Sequence, residues 1–343
     1  MEERRKKSRS GAIIMAAILV AMLFVAYRVF GPNTGTMVGG EYVYIHTGSD
    51  YARMQQELKQ GGFVKDMMSF GLVAKALGLP ERIHPGKYRI TPGMSNYRMV
   101  RMLRAGRQAP VKLVIRKLRT KNELIHLLSA NLEADSAQLR QLLKDPAFLL
   151  QYELDTNSAM CAILPDTYEF YWNTSAEKAF KKIAKNYQRF WDDNRKQAAR
   201  KKNITPIQAT IVASIVDEES NKADDKPKIA SVYLNRLRIN MRLQADPTVK
   251  FAIGDFTIRR IGGPMLDYDS PYNTYKYAGL PPGPICTPSA VSIDAVLQAP
   301  ATTYLYFCAK DDFSGYHVFA STYEEQIKNA RAYQKALDAR NIH

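Results

Sequence analysis

The sequence predicts an α+β fold behind one N-terminal transmembrane helix, and three observations carry that reading. Gly11–Phe30 is an almost unbroken apolar run of the roughly 20 residues a bilayer span needs. Residues 41–108 alternate strand-like and helix-like segments in the order β-α-α-β. Residues 109–343 mix amphipathic helices with short strands and close on a hairpin and a helix. The expected layout is a basic tail at 1–10, the span at 11–30, a linker at 31–40, a small β-α-α-β subdomain at 41–108 and a larger mixed α+β domain at 109–343.

Met1–Ser10 holds Arg4, Arg5, Lys6, Lys7 and Arg9 ahead of the apolar run, which favours a cytoplasmic N-terminus and places everything after Gly31 outside. Tyr27 and Arg28 sit where an aromatic ring and a snorkelling guanidinium meet the interface. A cleaved signal peptide is the alternative, but the run is long for one and no small-x-small cleavage site follows. With no cysteine nearby, an N-terminal lipoprotein is not indicated.

Composition narrows the partners. At 343 residues the chain can bury a sizeable core, and its net charge of +16 favours an anionic partner or surface. The basic residues are spread, and there is no helix-turn-helix, zinc-finger or RNP-like pattern, so no nucleic acid partner is expected. Anionic lipid headgroups and polymer carboxylates suit the charge equally well. Cys161, Cys286 and Cys308 form no CxxC pair, so neither a zinc site nor a disulfide framework is indicated, and at most one bridge can form.

GPNTGTMVGG at 31–40 reads as a flexible Gly-rich linker. YVYIHTG then reads as a strand, DYARMQQELKQGG as a helix ended by glycine, KDMMSFGLVAKALGL as a second helix, and HPGKYRITPGMSNYRMVRMLRAGRQ as a strand, a Pro-Gly turn and a helix. From Val111 a strand leads into amphipathic helices through about Leu154. LPDTYEFYWNTS at Leu164–Ser175 offers aromatic side chains that suit either a cleft or plain core, and 176–202 reads as one long charged helix.

The most informative stretch is Thr205–Gly254. Thr205 as N-cap, Pro206 at the first helical position and Gln208 closing a capping box start a helix. Ile211, Val212, Ile215 and Val216 form its apolar stripe, which the 3.6-residue period continues onto Glu219. Asp217 and Glu218 fall off the stripe and are expected to face water. A carboxyl group held against apolar side chains keeps its proton near neutral pH, so Glu219 is the candidate general acid. The alternative is a structural ion pair with Arg236 or Arg242.

Asp225 and Pro227 open a further helix with Ile229, Ala230, Tyr233, Leu234 and Leu237 on its apolar face and Asn235, Arg236 and Arg238 off it. Asp246 is expected to cap a short helix begun by Pro247, and Gln244, Asp246 and Thr248 are the polar groups expected nearest a cleft. Tyr272, Asn273 and Tyr275 of YNTY supply further hydrogen-bonding groups, and GLPPGPICTPS, with four prolines, reads as a stiff wall for a substrate groove. YLYFCA and YHVFA read as a hairpin; its His317 is left outside the active set. An amphipathic helix closes the chain.

ASIVDEES, then KIASVYLNRLRINMRLQADPTV, then SPYNTYKYAGLPPGPICTPS closely resemble the endolytic murein transglycosylases (the MltG or YceG-like family), whose pattern is similar to ASIVEKET, VFxNRLRxxMRLQxDPTV and YNTYxxxGLPPGPIxxPG. The resemblance implies that Glu219 is the catalytic acid, because it matches the second acid of EKET. Asp217, Glu218 and Ser220 depart from the flanking residues, and Cys161 and Ala162 stand where many relatives carry Glu-Gly, so no role is transferred there. The resemblance is strong from Thr205 to Ser289 and weak before Leu164. It implies a LysM-like character for residues 41–108, which either grips glycan or only packs, and a catalytic role for 109–343.

The implied reaction is lytic transglycosylation of peptidoglycan glycan strands, in which one carboxyl acts as general acid and then base, leaving 1,6-anhydro-N-acetylmuramic ends without a metal or other cofactor. Penicillin-binding synthases as partners are implied by the resemblance alone. Two other readings stay open: a hydrolytic muramidase using Asp217 or Asp246 as second carboxylate, and a non-catalytic glycan-binding scaffold.

Overall fold

The computed structural model describes residues 2–340, with side chains from residue 11 onward; the basic side chains expected at 1–10 lie outside the described residues. Helix α1 (Glu2–Phe30) contains the segment Gly11–Phe30, which has a mean hydropathy of 2.5, is not buried, and is long and apolar enough to cross a membrane.

The chain then divides into two compact units. One consists of residues 1–112 with 131–133 and 169–175; the other takes the remainder. In the first unit, β1 (Tyr42–Ile45), α2 (Tyr51–Gln60), α3 (Met67–Ala76), β2 (Gly86–Arg89) and α4 (Asn96–Arg104) give the expected β-α-α-β order followed by a helix. Strands β1 and β2 are antiparallel, with Tyr42 opposite Arg89 and Ile45 opposite Gly86. Their two-residue period sends Val43, Ile45 and Tyr88 inward, onto Met54, Leu58, Phe70 and Leu103. Asp50, Asp66 and Ser95 cap the three helices through their side chains.

The Gly-rich stretch 31–40 differs from the flexible linker its composition suggests. Pro32 and Thr34 make isolated β-bridges to Ser95 and Val64. The buried Asn33 amide donates to Asn96 Oδ1 (2.7 Å) and to the Asp66 carbonyl (2.9 Å), while its Oδ1 accepts from the Asp66 N–H (2.9 Å). A single side chain whose hydrogen bonds are all internal fixes a segment that composition alone marks as loose.

Strands β3 (Val111–Ile115) and β4 (Asp166–Phe170) pair as a two-stranded sheet. Between them lie α5 (Lys121–Asn131), α6 (Ser136–Leu142), α7 (Pro146–Leu150) and a 3-10 turn at Ala159–Ala162. Tyr168 and Phe170 of β4 are buried core residues. The long helix expected over 176–202 is two helices, α8 (Ala176–Phe190) and α9 (Asp193–Lys201). The chain breaks at Trp191, whose ring is buried, and Asp192 then caps α9 by accepting from the Arg195 N–H (2.8 Å). An Asp followed by a new amphipathic turn offers the backbone a restart that charge pattern alone does not reveal.

The second unit is completed by α10 (Pro206–Glu219), α11 (Lys226–Arg238), α12 (Asp246–Ile253), a 3-10 turn at Gly263–Asp267, α13 (Ala290–Leu297), the antiparallel hairpin β5 (Tyr306–Ala309) and β6 (His317–Ala320), and α14 (Tyr323–Ala339). Helix α10 starts with the predicted capping box and packs against α9, α11, α12, α13 and the Ala159–Ala162 turn. Every residue from Ala209 to Asp217 is consequently buried, so α10 is a central helix with no solvent face along that length. The three cysteines are free thiols.

Candidate active site

Glu219 is the last helical residue of α10; Ser220 follows in extended conformation and ends the helix. Its side chain is half-buried. Oε1 accepts a hydrogen bond from the Tyr233 hydroxyl on α11 (2.7 Å), whereas Oε2 takes none from the described residues and is not a buried orphan. The carboxyl is thus largely enclosed by protein without being fully buried. Loss of hydration in the charged form pushes its pKa from 4.5 up to about 7; the Tyr233 hydroxyl opposes the rise, the Asp246 charge adds to it, and Lys250 opposes it. A carboxyl with such a value can give and take a proton near neutral pH.

Glu219 forms no ion pair with Arg236 or Arg242. Arg236, expected off the buried face of its helix, is buried and donates through Nε to the Leu305 carbonyl (2.6 Å) and through Nη1 to that of Leu243 (2.7 Å). Its guanidinium satisfies a carbonyl after α11 and another just before β5, tying the two segments together. Arg242 donates to the Tyr275 carbonyl (3.1 Å).

The two neighbouring acids also depart from expectation. Asp217 is buried, accepting from Lys226 Nζ (2.6 Å), from Ser289 Oγ (3.2 Å) and from Ser292 Oγ, with Lys117 Nζ 3.3 Å from its other oxygen. Burial works to raise its pKa, but Lys226, Ser292 and Lys117 together hold it below 3.8. Glu218 pairs with Arg119 (2.9 Å) and Lys117 (3.2 Å). Neither faces water, because Lys117, Arg119 and α13 cover a side of α10 that sequence period alone leaves open. Asp217, held by two ammonium groups, is therefore not available as a second catalytic carboxylate.

Asp246 does not cap its helix. Ala245 occupies the N-cap position of α12, Asp246 is the first helical residue, and no side-chain cap bond forms. Its Oδ1 instead accepts from the Tyr275 hydroxyl (2.6 Å). Glu219, Tyr233, Asp246 and Tyr275 thus form two hydroxyl–carboxylate pairs, coupled by charge.

The other expected contacts separate into two groups. Thr248 and Asn273 are fully buried: Thr248 Oγ1 donates to the Ala245 carbonyl, and Asn273 Nδ2 donates to the Leu266 and Tyr268 carbonyls (2.9 and 2.8 Å) while Oδ1 accepts from the Tyr275 N–H (3.0 Å). Their polar atoms shape the segments that carry Asp246 and Tyr275. Gln244 is exposed, at φ +48°, with its N–H held by the Thr274 carbonyl (3.1 Å). Tyr272 is half-buried, its ring 4.7 Å from that of Phe251, and both line a hollow of about 370 Å³ shared with Arg119, Asn122 and Asn157. Phe251 and Arg119 were not singled out from sequence; the helical step from Asp246 past Lys250 is the signal that reaches Phe251.

The proline-rich segment is fastened to α10 and to the segment before α5. Ser214 Oγ donates to the Ile211 carbonyl (2.7 Å) and accepts from the Ile285 N–H (3.1 Å), and Thr287 exchanges two hydrogen bonds with the backbone of Leu118 (2.7 and 2.9 Å). Among the described residues no three His, Cys, Asp or Glu side chains group as a metal site.

Known proteins resemble this chain along most of its length. The profile of the YceG-like family matches residues 43–332. An endolytic murein transglycosylase of Bacillus subtilis is 29% identical over 315 residues, covering 87% of this chain and 85% of its own. One from Streptococcus pneumoniae is 26% identical over 321 residues, 84% of this chain and 57% of the relative. A yceG-like protein from Listeria monocytogenes, known from a crystal structure, aligns with a TM-score of 0.57 at 28% identity, covering 84% of this chain and 97% of that one.

Proposed function

The chain belongs to the YceG-like family, and from that membership we propose that it is a membrane-anchored endolytic murein transglycosylase with Glu219 as its acid and then its base. The observation that carries the reading is the half-buried carboxyl of Glu219, whose pKa of about 7 goes with one oxygen held by Tyr233 and the other open. Protonated Glu219 gives its proton to the glycosidic oxygen as the bond to C1 of the N-acetylmuramic residue breaks. The 2-acetamido group and the nearby Asp246 charge stabilise the positive centre. The carboxylate then takes the proton of the same sugar's C6 hydroxyl as O6 closes onto C1, which regenerates the acid and leaves a 1,6-anhydro end. Gln244, Tyr272 and the Asp246–Tyr275 pair are the groups available for positioning the strand. Helix α1 is the anchor, with its N-terminus in the cytoplasm, and residues 41–108 are read as LysM-like.

A hydrolytic muramidase with Asp246 as second carboxylate is the second reading, since Asp246 is charge-coupled to Glu219. Mass spectrometry of glycan digested by the purified protein separates the possibilities. Anhydro ends are expected; reducing ends would replace this reading with the hydrolase, and uncut strands with a binding scaffold.

Tyr233 gives a finer test, because the family pattern has Phe at its position. Tyr233→Phe preserves shape and removes the donor to Oε1. The pH at which activity falls is expected to rise by about one unit, with the rate at neutral pH down about tenfold as the carboxyl loses its fixed orientation. An unmoved pH profile would show that the hydroxyl does not act on Glu219.

A further inference from the structure

We propose that the arginine-rich face of α4 binds the phosphate headgroups of anionic phospholipids in the bilayer that α1 crosses. The inference rests on reading α1 as the anchor. The start of α4 is fixed to the last turn of α1: Asn96 Nδ2 donates to the Arg28 carbonyl (2.9 Å), and the Tyr97 ring lies 5.2 Å from that of Phe30. Phe30 ends the apolar segment, so Tyr97 stands at the level where aromatic rings meet headgroups.

From that point α4 and the residues after it present Arg98, Arg101, Arg104 and Arg107, all exposed. None lies within ion-pair distance of a carboxylate among the described residues, although elsewhere in the same unit Arg28 and Arg89 are paired with Asp66 and Glu41. Two hollows of about 350 and 330 Å³ lie on this face, and Tyr97, Arg101 and Arg107 line both. Each has guanidinium groups and an aromatic ring in its wall, the donors and the apolar surface that a lipid phosphate and its glycerol require.

Helix α3 adds the apolar part. Its N-cap Asp66 pairs with Arg28 at the end of α1, and Met68 and Leu72, one turn apart, are 80% and 67% exposed. Exposed apolar residues beside unpaired arginines at the exit of a membrane-length helix are the pairing expected of an interfacial surface. Anionic lipid is favoured over a soluble anion because the face continues from the helix end.

The test uses the full chain in micelles containing equimolar phosphatidylglycerol and phosphatidylcholine, with bound lipid counted by native mass spectrometry. Wild type is expected to retain phosphatidylglycerol at least about tenfold over phosphatidylcholine, and Arg98→Ser/Arg101→Ser/Arg107→Ser to bring the ratio near unity, each arginine near an anionic surface being worth about fivefold. The replaced side chains are exposed, so circular dichroism should be unchanged. Equal retention of the two lipids by wild type overturns the proposal, as does displacement by inorganic phosphate, which would mark a soluble-anion site. Carbonate extraction of membranes checks the anchor separately: both proteins should remain in the pellet. Release of both would sink the anchor reading and the lipid proposal with it, whereas retention without lipid preference sinks the proposal alone.

Discussion

Replacing Glu219 with Gln is expected to abolish glycan cleavage while making the protein more stable above neutral pH. The loss should be about a thousandfold or greater, since the amide can neither give a proton to the leaving oxygen nor take one from the C6 hydroxyl. Stability moves the other way. In the unfolded chain the carboxyl loses its proton near 4.5 and in the folded chain near 7. Between those values the folded form holds an extra proton, so stability falls as pH rises across the window and reaches its full penalty above 7. Partial access to water limits that penalty to about 2–3 kcal/mol. Glutamine, neutral throughout and able to accept from Tyr233, escapes it. Denaturant unfolding should show the variant more stable at pH 8 and equal to wild type near pH 4. Undiminished cleavage would remove Glu219 from the mechanism, and matching unfolding curves at pH 8 would show that its carboxyl is not desolvated.

The opposite sign is expected two residues earlier in the same helix, at Asp217. Asp217→Ala leaves the buried Lys226 ammonium with only Ser292 as a partner, and such an unpaired buried charge typically costs about 3–5 kcal/mol. Unfolding midpoints in denaturant at pH 7 check this, and a loss under 1 kcal/mol would mean that water replaces the carboxylate. The double variant Asp217→Ala/Lys226→Met should recover most of the stability, because an apolar pair leaves no charge to strand. The pH dependence follows from the depressed pKa: the contribution of Asp217 is complete above 3.8 and is lost as pH falls through its lower folded value. Acid therefore weakens the fold through Asp217, whereas alkali weakens it through Glu219.

These two neighbours show what could be read from the sequence and what could not. The start of α10 was legible because a capping box is local, with Thr205, Pro206 and Gln208 within one turn. The β-α-α-β order and the closing hairpin were legible from period and turn residues in the same way. The partners of Asp217 were not: Lys117 and Ser292 lie 100 and 75 residues away, and no local pattern announces such an encounter. Asp246 misled for a related reason. Asp before Pro is a strong capping signal, but the helix begins one residue earlier and the Tyr275 hydroxyl, 29 residues on, takes the carboxylate. Asn273 and Thr248, expected as hydrogen-bonding groups at a cleft, are both turned inward by the segments they fasten.

The junction of Ser214 with the proline-rich segment also bears on how the enzyme can use its substrate. One serine hydroxyl, deep in a packed helix, ties that segment to the body carrying the reactive carboxyl, so the two travel together. On the proposed reading that this segment walls the substrate site, the wall works as a mould and not as a jaw: its outline is settled before the polymer arrives. The effort of bending a pyranose out of its chair must then come from sugars seated on either side of the cut, and shortening the strand should slow turnover more than it weakens binding.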